Sequence, residues 1–338
     1  MKIAITTVFL PRENIYWLEE WIRYHLFHIG IDAIYLYDNT GSLKFDNVPF
    51  NRNTSIALSG KNLRGENISE ITSHLSGADI LNTLNALTLK YKGRLHIFPW
   101  HPIDEQGVPC FGQRAAYADF IGKYAKEFDW AVLTDMDEFI VNSDLKERVT
   151  YYESLGYNDI IVHPKLFTQR VTDQGPVVPA LSITDCIVGV TDRDWKQIVK
   201  CSDALYPEVH QGGTWKKEWK LIFKTDLVFH HYKMGSFGYE KLRRRMPFCP
   251  KVLTIGTDNS LEKVIDSLSL ESNVVIPQPK KVVLFQPNPR KVTLPEVSLL
   301  QRVIAMKEIL ITYLILRSRI ARKVWQVLRP NIPPKIRF

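Results

Sequence analysis

Apolar and polar residues alternate with two different periods along the first 140 positions. A β-branched run, Ile3 to Phe9, comes first. Ile15, Leu18, Ile22, Leu26 and Ile29 then recur at spacings of three and four, the helical period, until Gly30 stops the pattern. Ala33 to Tyr37 reads as a second strand ending in the turn cluster Asp38-Asn39-Thr40-Gly41. Residues 78–92 predict a helix closed by Gly93, Leu95 to Phe98 a short strand, Gln113 to Phe128 a helix and Trp130 to Thr134 a further strand. Apolar strands alternating with helices predict an α/β fold, a mainly parallel sheet sandwiched by helices.

Beyond residue 155 the periodicity loosens. Short strands are expected at Asp159–His163, Lys165–Val171, Leu221–Phe223 and Leu227–Tyr232, with a helix at Phe237–Arg245. Five prolines between Pro277 and Pro295 mark residues 271–297 as a connector. The expected organisation is a catalytic-type domain over 1–270, that connector, and a basic amphipathic helix and tail over 298–338.

Charge refines this division. The nine basic residues beyond position 300, set against Glu308 alone, carry the whole formal excess of +8, so the body is neutral. A nucleic-acid-binding body needs a basic surface of its own, so that class is disfavoured. Apolar residues from Leu299 to Leu328 form one wide face of the basic segment. Such a helix suits an anionic membrane surface, contacted through residues 299–337; a helix docked on the body or pairing with another chain is the alternative. No run of about 18 apolar residues occurs. The first residues lack a small-residue cleavage pattern. The four cysteines form no CxxC pair, which points to a reducing compartment. The expected location is cytoplasmic, peripheral on the inner membrane face.

The chemistry concentrates in WAVLTDMDEFIV, Trp130 to Val141, where Asp135, Asp137 and Glu138 crowd the end of a strand. Ligands collect outside the carboxyl ends of strands in open parallel sheets. In an extended segment Asp135 and Asp137 face one point and Glu138 faces away. Two hard oxygen ligands beside a phosphate suit Mg²⁺ or Mn²⁺; the plain alternative is a solvated acidic loop. Asp38, at the same sheet edge, is placed to accept hydrogen bonds from a base or ribose, or simply to make its turn. In FHHYKMGSFGYEKLRR, Phe229 to Arg244, the histidines end an apolar strand, where a neutral imidazole can ligate a metal or sit hydrogen-bonded in the core.

Four motifs in order carry a resemblance. Glu20-Trp21-Ile22-Arg23-Tyr24-His25 with Gly30, then Tyr37-Asp38-Asn39, then Trp130 with Asp135, Asp137, Glu138 and Phe139, then His231-Tyr232 with Ser236 are similar to glycosyltransferase family 92 and its family 2-like relatives of GT-A fold. The resemblance spans roughly residues 1–245 and departs at Gly235, where the family has a lysine; Lys233 is its neighbour here. It implies a transferase acting on a nucleotide-sugar donor, UDP-linked, with a glycan or lipid-linked acceptor and inversion at the sugar. Asp38 would meet the uridine, and Thr6, Thr7 and Val8 would line the nucleotide pocket with Arg12 and Gln113. Asp135, Asp137 and His231 would hold Mn²⁺ or Mg²⁺, and Lys196 would reach a phosphate. An inverting reaction needs a base; Asp194 is the candidate, with Glu138 and Glu208 as the other acids in range. Two other readings stay open: a catalytically silent protein binding a nucleotide or partner, and an aspartate-nucleophile phosphatase, which also sets D-x-D after a strand.

Overall fold

The computed structural model describes residues 1–39, 77–104, 112–167, 195–232 and 252–268 except 262, with short pieces at 170–172, 180–182, 185–188, 283–285, 291–293 and 336–337. In chain order the first elements are β1 (Ile3–Phe9), α1 (Pro11–Arg23), β2 (Ala33–Asp38), α2 (Gly77–Lys90), β3 (Leu95–Pro99), β4 (Ile103–Asp104) and α3 (Gln113–Lys123). Then come β5 (Trp130–Leu133), β6 (Glu138–Ile140), α4 (Leu145–Ser154), β7 (Asp159–Phe167), β8 (Arg170–Thr172), β9 (Asp185–Val188) and β10 (Lys196–Lys200). The remainder is mostly strand: β11 (Ala204–Pro207), β12 (Gly213–Trp215), β13 (Leu221–Ile222), β14 (Val228–Tyr232), β15 (Val252–Thr257), α5 (Val264–Ser267), β16 (Val283–Phe285), β17 (Lys291–Thr293) and β18 (Ile336–Arg337).

The α/β architecture expected from the alternating periods is the one observed. Strands β3, β2, β1 and β5 lie side by side and parallel, so their carboxyl ends share one edge. All seven residues of β1 are buried, as a central parallel strand covered on both faces requires. One face packs Ile3, Ile5, Leu18, Trp21, Leu36 and Phe139. The other packs Ala4, Val8, Tyr35, Tyr117, Phe120 and Leu133 beneath α3. Each fully buried Ile, Leu or Phe among them contributes about 1.5–3 kcal/mol of transfer free energy.

The second half of the sheet mixes directions. Strand β10 enters antiparallel between β5 and β7, with Gln197 opposite Leu133 on one side and Ile161 on the other. Strand β7 runs unbroken for nine residues, where the sequence suggested two strands flanking Pro164. The proline sits where the neighbour changes. Residues up to Val162 pair with β10, and from His163 onward the strand runs parallel to β14, which itself pairs with β6. A residue without an N–H is tolerated at such a handover.

Local signals account for the helices next to the site. Pro11 opens α1 at its first position, and the Asn14 side chain accepts the Leu10 N–H at 3.1 Å. Gly112 starts α3 with φ +60°, and a Cβ there would lie 2.4 Å from Pro102 Cγ, so only glycine fits. Within the proline-rich 271–297, β16 pairs with β8 and β17 with β15. The expected helix at Phe237–Arg245 lies outside the described residues, and so does the basic segment 298–338 apart from Ile336–Arg337, which pair antiparallel with β4. Among the described residues no helix is long and apolar enough to cross a membrane.

Candidate functional site

The site forms where β5 ends. Leu133 is level with Thr6 of β1, and the chain turns through Thr134–Asp137 before β6 begins at Glu138. The turn changes the geometry that an extended chain would give. Glu138, expected to face away, is fully buried and folds back on the turn: its Oε2 accepts from Thr134 Oγ1 at 2.7 Å and from the Asp135 N–H at 2.8 Å. Alternation of side chains holds only while the backbone stays extended, and here it does not.

The two aspartates therefore part company. Asp135 accepts a hydrogen bond from Gln113 Nε2 and pairs with Lys196 Nζ at 2.6 Å. Asp137 lies with its Oδ2 3.3 Å from His231 Nε2. Strand pairing sets His231 directly opposite Glu138, and His231 Nδ1 is 3.8 Å from Glu138 Oε1. Asp137, Glu138 and His231 each offer a ligand atom, all within 4.8 Å of one another. Glu138 and His231 form a buried floor, while the Asp137 and Asp135 side chains, 26% and 28% exposed, form the open rim.

The like charges are compensated from β10. Lys196 Nζ, on a side chain 2% exposed, is also 3.5 Å from Glu138 Oε1. Burial alone would lower the lysine's pKa, but Asp135 and Glu138 outweigh it and hold the ammonium well above its ordinary range. Lys196 thus points into the carboxylates, where a reach to phosphate had been expected. Burial raises Glu138 to about 7, with Lys196 pulling the other way. Its Oε1 accepts no hydrogen bond among the described residues. That buried oxygen faces the Lys196 ammonium at 3.5 Å together with an imidazole and a second carboxylate; a hard divalent cation would suit these oxygen and nitrogen donors, so the donor set fits Mn²⁺ or Mg²⁺.

Of the other expected residues, those of β1 and β2 lie toward the carboxyl ends of their strands. Thr6 and Thr7 are fully buried and Val8 nearly so; Thr6 Oγ1 has no hydrogen-bond partner among the described residues, and Thr7 Oγ1 donates to Val8 O. Thr6 O accepts the Thr134 N–H, tying β1 to the acidic turn. Asp38 is half-buried at the end of β2, level with Phe9. Gln113, at the start of α3, donates to Tyr117 Oη as well as to Asp135. Arg12 lies in the first turn of α1, its side chain outside the description, and Asp194 is also outside the described residues. Glu208 is ion-paired with Arg114 at 2.8 Å.

One group with a direct bearing on the site was quoted in the sequence only as a motif. Trp21, Tyr24 and His25 all bond the backbone of β6, and nothing in their helical spacing names a strand 115 residues away as the partner.

No protein-family model matches the chain, and no curated protein sequence does. Among solved structures it is similar to the crystal structure of S. aureus TarS 1-349, at 9% identity and a TM-score of 0.34, covering 73% of this chain and 65% of that one. It is likewise similar to S. aureus TarS 1-349 in complex with UDP-GlcNAc, at 10% identity and a TM-score of 0.35, covering 73% and 66%. The match spans just under two thirds of the TarS chains.

Proposed function

We propose that the chain is a metal-dependent glycosyltransferase of GT-A type, moving a sugar from a UDP-linked donor to a glycan or glycolipid acceptor with inversion. The observation that carries this reading is the grouping of Asp137, Glu138 and His231 within 4.8 Å at the carboxyl edge of a parallel half-sheet. That edge is where such sheets bind ligands, and in this reading Asp38, Thr6, Thr7, Val8, Arg12 and Gln113 serve the same ligand. The four ordered motifs support it independently.

In this reading Asp137, Glu138 and His231 hold Mn²⁺ or Mg²⁺, with Asp135 completing the rim and Lys196 setting the local charge. The bound cation supplies Lewis-acid stabilisation to a leaving nucleoside diphosphate. The chain's own residues do the remainder. Asp38 orients the uridine by accepting its hydrogen bonds, and the β1 end walls the nucleotide. Asp194 removes the proton from the acceptor hydroxyl as the sugar–phosphate bond breaks; the proton passes to its carboxylate and the bond's electrons leave with the diphosphate. The basic segment 299–337 brings the enzyme to an anionic membrane where a lipid-linked acceptor lies. Failure of the full chain to sediment with anionic liposomes at low salt would remove that last element.

Thermal unfolding against a panel of nucleoside diphosphates, with and without Mn²⁺, tests the core of the proposal. A ligand that binds the folded state raises stability, so UDP with Mn²⁺ gives the largest shift and UDP alone a smaller one. No shift with any nucleotide would remove the transferase reading and return attention to a silent or phosphatase role.

A further inference from the structure

Among the described residues strand β6 has one strand neighbour. It pairs antiparallel with β14, with Phe229, His230 and His231 opposite Ile140, Phe139 and Glu138. The Tyr232 N–H donates to Asp137 O and the Val141 N–H to Val228 O, so odd-numbered residues turn their backbone groups toward β14. Glu138 and Ile140 turn theirs the other way, to an edge with no strand beside it among the described residues. Buried backbone groups left in that state are costly, and a three-residue edge strand has little else to fix its register.

Helix α1 and the π-helical turn after it, Tyr24–His28, occupy that edge with side chains. Trp21 Nε1 donates to Glu138 O at 2.9 Å. Tyr24 Oη donates to Ile140 O. His25 Nε2 accepts the Ile140 N–H at 3.5 Å, while its Nδ1 donates to Trp21 O at 2.9 Å. The fourth outward group, the Glu138 N–H, donates to Asp135 O at 3.2 Å. Spacings of three and four put Trp21, Tyr24 and His25 on one face of the helix. Three side chains thus do the work of an absent strand. Burial holds His25 at about 3, so its ring stays neutral and Nε2 stays an acceptor. Phe139, between Glu138 and Ile140, is wedged against the Tyr24 ring at 5.2 Å and Tyr232 at 5.3 Å. Upstream, Glu20 accepts the Ala180 and Leu181 N–H groups at 2.8 and 2.9 Å, which anchors the same helix turn to a second segment.

We infer that Trp21, Tyr24 and His25 are positioning residues: by completing the hydrogen bonding of β6 they hold Glu138 in register with His231 and Asp137. The inference rests on reading those three residues as a cation site. It gives the E-W-x-x-Y-H motif a physical task, which is to act on the ligand set from behind without touching a ligand bound in front.

Two variants test it: Tyr24→Phe, which removes only the hydroxyl, and Trp21→Phe, which removes the indole N–H and shrinks the ring; a control, Leu87→Ala, opens a cavity in the core under α2. Mn²⁺ affinity is read by titration calorimetry, and amide hydrogen exchange is followed at residues 138–141. Partners behind metal ligands typically change affinity by about 10–100-fold. Tyr24→Phe and Trp21→Phe are therefore expected to weaken Mn²⁺ about tenfold and to speed exchange at Phe139 and Val141 selectively. Leu87→Ala, though less stable, is expected to keep its Mn²⁺ affinity within about twofold, because its cavity lies away from the ligands. Wild-type affinity in both motif variants would overturn the inference while leaving the cation site intact. A wild-type chain that takes up no Mn²⁺ would sink the cation site first, and the inference with it.

Discussion

Lys196 Nζ lies 2.6 Å from Asp135 Oδ2, an ion pair joining β10 to the acidic turn across 61 residues of sequence. The same ammonium is 3.5 Å from Glu138, which is fully buried. It lets three carboxylates crowd one strand end before any ligand arrives. Removing one partner of a buried pair costs about 3–5 kcal/mol, because the other charge stays behind uncompensated. Lys196→Met is expected to lose about 3 kcal/mol in urea titrations, the lower end, since Asp135 is partly exposed. Added Mn²⁺ should return part of the loss by replacing the missing positive charge. Equal stability of the two proteins in the absence of metal would show that the pair does not hold the site together.

The separation of the two aspartates predicts an order of importance. Asp137 and Glu138 are in the group with His231, whereas Asp135 is engaged by Lys196 and Gln113. In Glu138→Gln, one face of the amide can still serve Thr134 and the Asp135 N–H, but its NH₂ would meet Lys196 and the histidine. Asp137→Asn and Glu138→Gln are expected to weaken Mn²⁺ by at least about tenfold, and Asp135→Asn by less. Calorimetric titration of the three variants checks the ranking, and an Asp135→Asn loss exceeding that of Asp137→Asn would reverse the ligand assignment.

Much of the fold is legible in the sequence. The period of Ile15, Leu18, Ile22 and Leu26 marks the first helix, and the run WAVLT followed by acids marks a strand that ends in an acidic turn. These signals are local, so a single sequence carries them. What was missed depends on contacts between distant segments. The inward turn of Glu138 needs a hydrogen bond to Thr134 that exists only because the chain bends there. Lys196 meets its carboxylates because β10 inserts antiparallel beside β5, and no turn signal announces that pairing. Pro164 looked like a break because the strand's change of neighbour is invisible in one chain. The E-W-x-x-Y-H side chains are visible in the sequence only as a motif, with no hint that a strand edge is their partner.

Asp194 stands two residues before Lys196 in the sequence and is the base we propose for the acceptor hydroxyl. General-base catalysis contributes about 10²–10⁴-fold, and it acts on the chemical step and not on donor binding. Asp194→Asn is expected to lower kcat by about 10²-fold or more, with UDP binding in the presence of Mn²⁺ unchanged. Near-normal turnover in steady-state kinetics would take Asp194 out of the mechanism and leave the donor side untouched.

Asp159 supplies a pH prediction away from the metal ligands. It opens β7 fully buried, and its Oδ2 accepts from Trp219 Nε1 at 2.9 Å and from the Gly212 N–H at 3.3 Å. Oδ1 has no hydrogen-bond partner among the described residues, so a proton there displaces no bond. Burial raises the group to about 7, against an ordinary value of 3.8, despite the two donors pulling it down. A carboxyl raised on folding binds its proton more tightly in the native state. Its contribution to stability is therefore complete below the unfolded value and is lost as pH rises through about 7. At full burial the difference amounts to at most on the order of 4 kcal/mol. Asp159→Asn removes the titration and carries a fixed cost from its own unpaired NH₂. The advantage of the wild-type chain over this variant is thus expected to be largest near pH 4 and to shrink steadily toward pH 8. Urea unfolding of both proteins at five or six pH values measures it. Parallel curves across that range would mean that Asp159 is ionised in the folded chain throughout, held so by Trp219 and Gly212.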